Sequence, residues 1–153
     1  MGRMALYALL AIACGLCFGD CGCSNEANSP AGPSVVATEI WTVTVGEGQG
    51  HGDFRFVKKS DGVVTAFGEW TFGTVFCPYS SGPGAVTDST IAFNADGVAT
   101  DNTFQSDFTL SVAGKAGGGS ASGTYSIVFT RGVQVPGPLT WTATRTSGSG
   151  VTP

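Results

Sequence analysis

The run from Phe104 to Val112, FQSDFTLSV, decides the fold. Phe104, Phe108, Leu110 and Val112 occupy one set of alternate positions, and Gln105, Asp107, Thr109 and Ser111 the other. Successive side chains of a β-strand point to opposite faces, so this spacing puts one face in a dry interior and the other in water. The same period continues downstream. Tyr125, Ile127 and Phe129 alternate with Thr124, Ser126, Val128 and Thr130, and Leu139, Trp141 and Ala143 with Thr140, Thr142 and Thr144. Upstream, Trp41, Val43 and Val45 share a face opposite Thr42 and Thr44, and Phe54 and Phe56 alternate with Asp53 and Arg55. Beyond the first thirteen residues, no stretch of helical length repeats its apolar residues at i, i+3, i+4 and i+7.

Turn residues divide the pattern. Ser60, Asp61 and Gly62 lead into a long strand over 63–76, where Val64, Ala66, Trp70 and Phe72 fall on one side and Gly68 and Gly73 suggest bulges. Residues 77–84, with Pro78, Pro83 and Gly84, read as a loop, and 87–93 as a strand. Asn94, Ala95, Asp96 and Gly97 read as a hairpin turn, and 117–120 as a loose connection. Seven or eight short strands joined in sequence are antiparallel and must bury their apolar faces together. The expected fold is all-β, an up-and-down barrel or a two-sheet sandwich, with the short connections favouring the barrel.

The 153 residues fit one domain after a processed N-terminus. Charged residues make up 12% and the net charge is −4, so Ser, Thr, Asn and Gly supply most of the polar surface. No basic patch exceeds Lys58 and Lys59, which argues against a nucleic-acid partner.

Arg3 precedes an apolar run, MALYALLAIA over 4–13, too short to span a bilayer as a helix, and Asp20 ends any extension of it. Leu10, Ala11, Ile12 and Ala13 before Cys14 resemble the lipobox of bacterial lipoproteins. That resemblance covers fourteen residues, departs at Ala11 where Leu is commonest, and implies cleavage before Cys14 and lipid on its sulfur. It implies a protein of the bacterial cell envelope, held to a membrane through its N-terminal lipid and facing periplasm or exterior. Ala11 and Ala13 also satisfy the small-x-small rule of ordinary signal peptidase, which would secrete the chain. The polar stretch 24–34, SNEANSPAGPS, reads as a flexible spacer. The expected organisation is signal peptide 1–13, lipidated Cys14 and linker to 34, β domain 35–146 and a disordered tail 147–153.

With Cys14 consumed by lipid, Cys17, Cys21, Cys23 and Cys77 can pair fully. Cys21 and Cys23 are too close for an unstrained bridge, so the expectation is Cys17 with Cys21 and Cys23 with Cys77. Cys14 and Cys17 form a C-x-x-C, but no second one completes a thiolate metal site.

Few residues offer chemistry. His51, the lone histidine, sits in the glycine-rich 46–52 (GEGQGHG), read as a loop, with no evident base–nucleophile pair and no phosphate-cradle ending. Glu39, Glu47 and Glu69 suggest a carboxylate pair, though acids alternating with apolar residues usually face solvent. Asn94, Asp96 and Asp101 only loosely match a calcium loop. Trp41, Trp70 and Trp141 are the possible ligand contacts, against a simpler role in the core. No metal or cofactor is implied. Three roles follow: a non-catalytic envelope lipoprotein displaying its β domain to a protein or glycan partner, a carrier of a small hydrophobic ligand or glycan, and a hydrolase. The first needs a filled interior and the second a cavity of several hundred Å3. The third needs His51 and the glutamates to converge in one cleft.

Overall fold

The structure, a computed structural model, describes residues 31–132 and 134–153. The strands are β1 (Val35–Val45), β2 (Gly50–Lys59), β3 (Val64–Phe72), β4 (Val75–Pro83), β5 (Val86–Thr87), β6 (Thr90–Thr100), β7 (Gln105–Gly117), β8 (Ser120–Phe129) and β9 (Leu139–Gly148). A single 3-10 turn, Gly46–Gly48, joins β1 to β2. Every pairing is antiparallel, in the order β4-β3-β2-β1-β9-β8-β7-β6-β5, and β4 also pairs with β6. That last pairing closes the sheet. Eight strands form an up-and-down barrel, and β5 is a two-residue addition on β6. Closure leaves no long edge to template aggregation.

The alternation sets which residues meet inside. Trp41, Phe54, Phe56, Trp70, Leu110, Ile127 and Trp141 are all buried in one cluster. Phe54 is its hub, with ring centroids 5.1 Å from Trp141, 5.7 Å from Trp70 and 5.8 Å from Phe93. An aromatic side chain buries about 150–250 Å2, or about 4–6 kcal/mol gross at ~25 cal/mol per Å2. Inward-facing glycines make room for the indoles. Gly52 pairs with Trp70, and a Cβ there would lie 2.5 Å from its Cδ1. Gly114 and Gly123 pair with each other beneath Trp141, whose Cζ2 would lie 2.4 Å from a Cβ on Gly114. The Trp141 indole N–H donates to the Thr124 carbonyl at 3.1 Å.

Several local expectations are corrected. The run 63–76 is two strands, because Gly73, at φ +60°, turns the chain between them. Residues 77–83 belong to β4, and Pro78 falls where the β4–β6 ladder skips from the Phe76 pair to the Tyr79 pair. A missing N–H costs nothing there. Asn94 to Gly97 is mid-strand in β6: Phe93 and Ala95 face inward, and Gly97 fits because Phe108 stands 2.6 Å from where its Cβ would be. Period two outweighs turn composition at that point.

The end of the chain also differs from the expected disordered tail. Strand β9 runs to Gly148, and Val151 and Thr152 fold back into buried positions. They meet Glu39, which faces inward with Trp41 and is fully buried rather than solvated. One Glu39 oxygen accepts from Arg145 at 3.1 Å and from the Val151 and Thr152 N–H groups at 3.1 and 3.2 Å. The other accepts from the Trp41 indole at 3.0 Å and the Thr152 hydroxyl at 2.7 Å. Arg145 also lies over the Trp41 ring, 5.7 Å from its centroid. This end of the barrel is closed by a fully satisfied carboxylate.

Candidate functional site

Because each strand reverses, the β1–β2, β3–β4, β6–β7 and β8–β9 connections gather at the end opposite Glu39. There the interior is not filled. A cavity of about 750 Å3 opens between residues from all four connections, including Gly46, Phe72, Phe104 and Val135. By the ~30 Å3 a liquid water occupies, it holds about 25 waters, or a ligand of roughly twenty non-hydrogen atoms.

Tyr125 is the floor. It projects from β8, and its ring lies 4.9 Å from Trp70 and 6.4 Å from Phe72, both on β3. Strands β3 and β8 are four steps apart either way round the eight-stranded barrel, so Tyr125 spans the lumen. Above it is the cavity, and below it the aromatic cluster around Phe54. The walls rise through Ile127, Phe129 and Leu139. Among the described residues that line it, Gln49, Tyr125 and Thr140 bring the polar side chains, and none carries a charged one.

The rim is braced. The Asp101 carboxylate accepts from the Thr103 and Phe104 N–H groups, each at 2.7 Å, and Asp101 N–H donates to the Phe104 carbonyl at 2.9 Å. The Thr103 N–H first, then those of Phe104 and the Thr103 and Thr74 hydroxyls, hold this carboxyl below its usual range. The result fixes Phe104 at the mouth, its ring 2.7 Å from where a Cβ on Gly132 would be. On the same side, the Gln134 amide donates to the Phe129 carbonyl at 2.6 Å.

The residues singled out in the sequence fall elsewhere. Trp41, Trp70 and Trp141 are buried in the core, and none lines the cavity. Trp70 packs beneath it against the lining residues Tyr125 and Phe72, and its indole N–H finds no acceptor among the described residues. Cys77 is a free thiol, buried on the inner face of β4, where burial pushes its pKa up to about 11. A disulfide from Cys23 to Cys77 is therefore corrected: the cysteine that should reach the linker points into the barrel. Cys14, Cys17, Cys21 and Cys23 lie outside the described residues.

His51 lies in β2 rather than a loop and faces out, paired with Thr44 and Thr71. Glu69 is exposed on β3, whereas Glu39 is sealed inside at the far end. Four residues of β1 lie between Glu39 and Thr44, the partner of His51. Glu39 is thus held apart from His51, whereas Glu69 shares the outer face of the β2–β3 pair with His51, two positions from its partner Thr71; the Glu47 side chain lies outside the described structure. Asn94 and Asp96 face outward and accept hydrogen bonds from Ser111 and Thr109, so they form no calcium loop with Asp101. Among the described residues, no three His, Cys, Asp or Glu side chains converge to hold a metal.

Sequence reasoning named Trp41, Trp70 and Trp141 as the ligand contacts and did not single out Tyr125, Phe72, Phe104 and Phe129. The available signal was position: Phe72, Phe104 and Phe129 all stand beside connections on the same end of the barrel. The chain matches no known family model, no curated protein and no solved structure.

Proposed function

We propose that the barrel is a carrier of one small apolar ligand, held in the mouth above Tyr125. The observation that carries this reading is a cavity of about 750 Å3, with no charged side chain among the described residues that line it, at one end of a barrel whose other end is filled and latched. An eight-stranded barrel is just wide enough either to fill with side chains or to hold one small ligand. A domain serving only as a displayed surface would be expected to fill that volume, since an empty apolar void forfeits packing. The three polar side chains among the described lining residues are few for the many hydroxyls of a glycan, which favours a hydrophobic ligand over a sugar. Export and attachment through Cys14, as residues 1–14 suggest, are part of the same proposal and put the carrier at the bacterial envelope.

The test is a titration of the full chain with the neutral dye N-phenyl-1-naphthylamine, beside a Leu139→Trp variant that narrows the cavity. One saturable site per chain, weakened at least about tenfold in the variant, supports the reading. Absence of saturable binding, or equal binding to both proteins, refutes it. The denatured mass of the same material from an envelope-targeted expression reports lipid on Cys14.

A further inference from the structure

Resting on the carrier reading, the geometry points to the chemistry of the cargo: we infer that it is a neutral amphiphile, seated polar end down, with one hydroxyl or carbonyl hydrogen-bonded to the Tyr125 hydroxyl. Tyr125 is 2% exposed and lines the cavity. Its hydroxyl lies 3.5 Å from where a Cβ on Gly46 would be, and both residues line the cavity. Gly46 has no side chain to cover it. The phenol therefore presents a hydrogen-bonding group at the floor of an otherwise apolar chamber.

Burial raises the Tyr125 pKa, so the phenol stays protonated at neutral pH and can donate or accept. It suits an alcohol or a ketone equally well. An anionic headgroup fits poorly. Among the described residues no Lys or Arg lines the cavity, and a carboxylate taken there would lose its hydration for neutral donors only. The apolar remainder of the ligand then rises past Ile127 and Phe129 toward Phe104. Trp70, edge-to-face with Tyr125 at 86°, is placed to report on what reaches the floor.

The experiment is a competition on the full chain at pH 8. N-Phenyl-1-naphthylamine is bound first and then displaced by 1-decanol or by decanoate, two ten-carbon ligands differing in headgroup charge. Wild type is expected to prefer decanol by about tenfold or more. Tyr125→Phe, which retains the ring across the lumen, should lose about three- to tenfold in decanol affinity relative to its own affinity for the dye. Decanoate binding as well as decanol overturns the inference, and so does a Tyr125→Phe variant with unchanged decanol affinity. In both of those cases the dye still binds and the carrier reading stands. If the dye itself finds no site, the carrier reading fails and this inference falls with it. The headgroup comparison is made on wild type, so it remains decisive even if the variant does not fold.

Discussion

Replacing Glu39 by glutamine changes one oxygen into an amide at the centre of the latch. Of the two carboxylate oxygens, one receives three donors and the other two. The amide keeps a carbonyl for the first group and turns an NH2 toward the Trp41 indole and the Thr152 hydroxyl. The hydroxyl can rotate to accept, but the buried indole N–H is left without a partner. Losing one hydrogen bond to a charged acceptor costs about 1.5–3 kcal/mol, and the neutral carbonyl weakens the other three. Arg145 is partly exposed and recovers some hydration, which limits the loss. The expected total is about 3 kcal/mol, a sizeable share of a domain's usual ~5–15 kcal/mol and roughly 10 °C in Tm.

The pH dependence gives this prediction its signature. Burial alone would raise the Glu39 pKa, but the bonds from Thr152, Val151 and Trp41 outweigh it and hold the carboxyl below the usual 4.5. The unfolded chain therefore binds the proton more tightly than the barrel does. The stabilisation is complete above about pH 4.5 and is lost as pH falls through the lower, folded value. Urea melts followed by the fluorescence of the three buried tryptophans should show the wild-type advantage at pH 7 and its shrinkage toward pH 3. A Glu39→Gln barrel within about 1 kcal/mol of wild type at pH 7, or equally penalised at both pH values, would refute the reasoning.

Other perturbations probe the packing. Gly123→Ala places a Cβ 2.0 Å from the Ala113 carbonyl oxygen, where backbone must move, and is expected to cost about 3 kcal/mol or more. Gly82→Ala, with nothing within 4 Å, should stay within about 0.5 kcal/mol, and equal melts for the two variants would contradict the strand register. Cys77 should resist iodoacetamide in the native chain at pH 8 and react fully in denaturant, read by peptide mapping. Native labelling at the rate of an exposed thiol would show that β4 does not bury it.

Much of the fold was legible because one rule, alternation, recurs from Trp41 to Ala143. It failed where composition was allowed to overrule it. Glu39 has the same parity as Trp41, and Arg145 the same parity as Trp141 and Ala143, so both charges fall on inward positions of adjacent strands. The general preference of charges for solvent hid a pair that the parity already placed inside. Asn94 and Asp96 were misread for a similar reason: turn-forming residue types masked their regular alternation with Phe93, Ala95 and Gly97. The cavity was less accessible. Alternation tells inside from outside but not the height of a side chain in the barrel, so Tyr125 and Trp70 looked equivalent although one is floor and the other foundation. The span from β8 to β3 depends on closure, which no local stretch encodes.

Strands β1 and β9 are antiparallel neighbours, so residue 35 and the C-terminal residues leave the barrel at the same end. Tension applied between the two ends of the domain would not shear this seam, loading all its bonds together. It would peel the seam open one rung at a time, beginning where Thr152 grips Glu39. The few residues after Gly148 thus act as the fastener of a zip, and the domain's resistance to a pull is set by that single clasp.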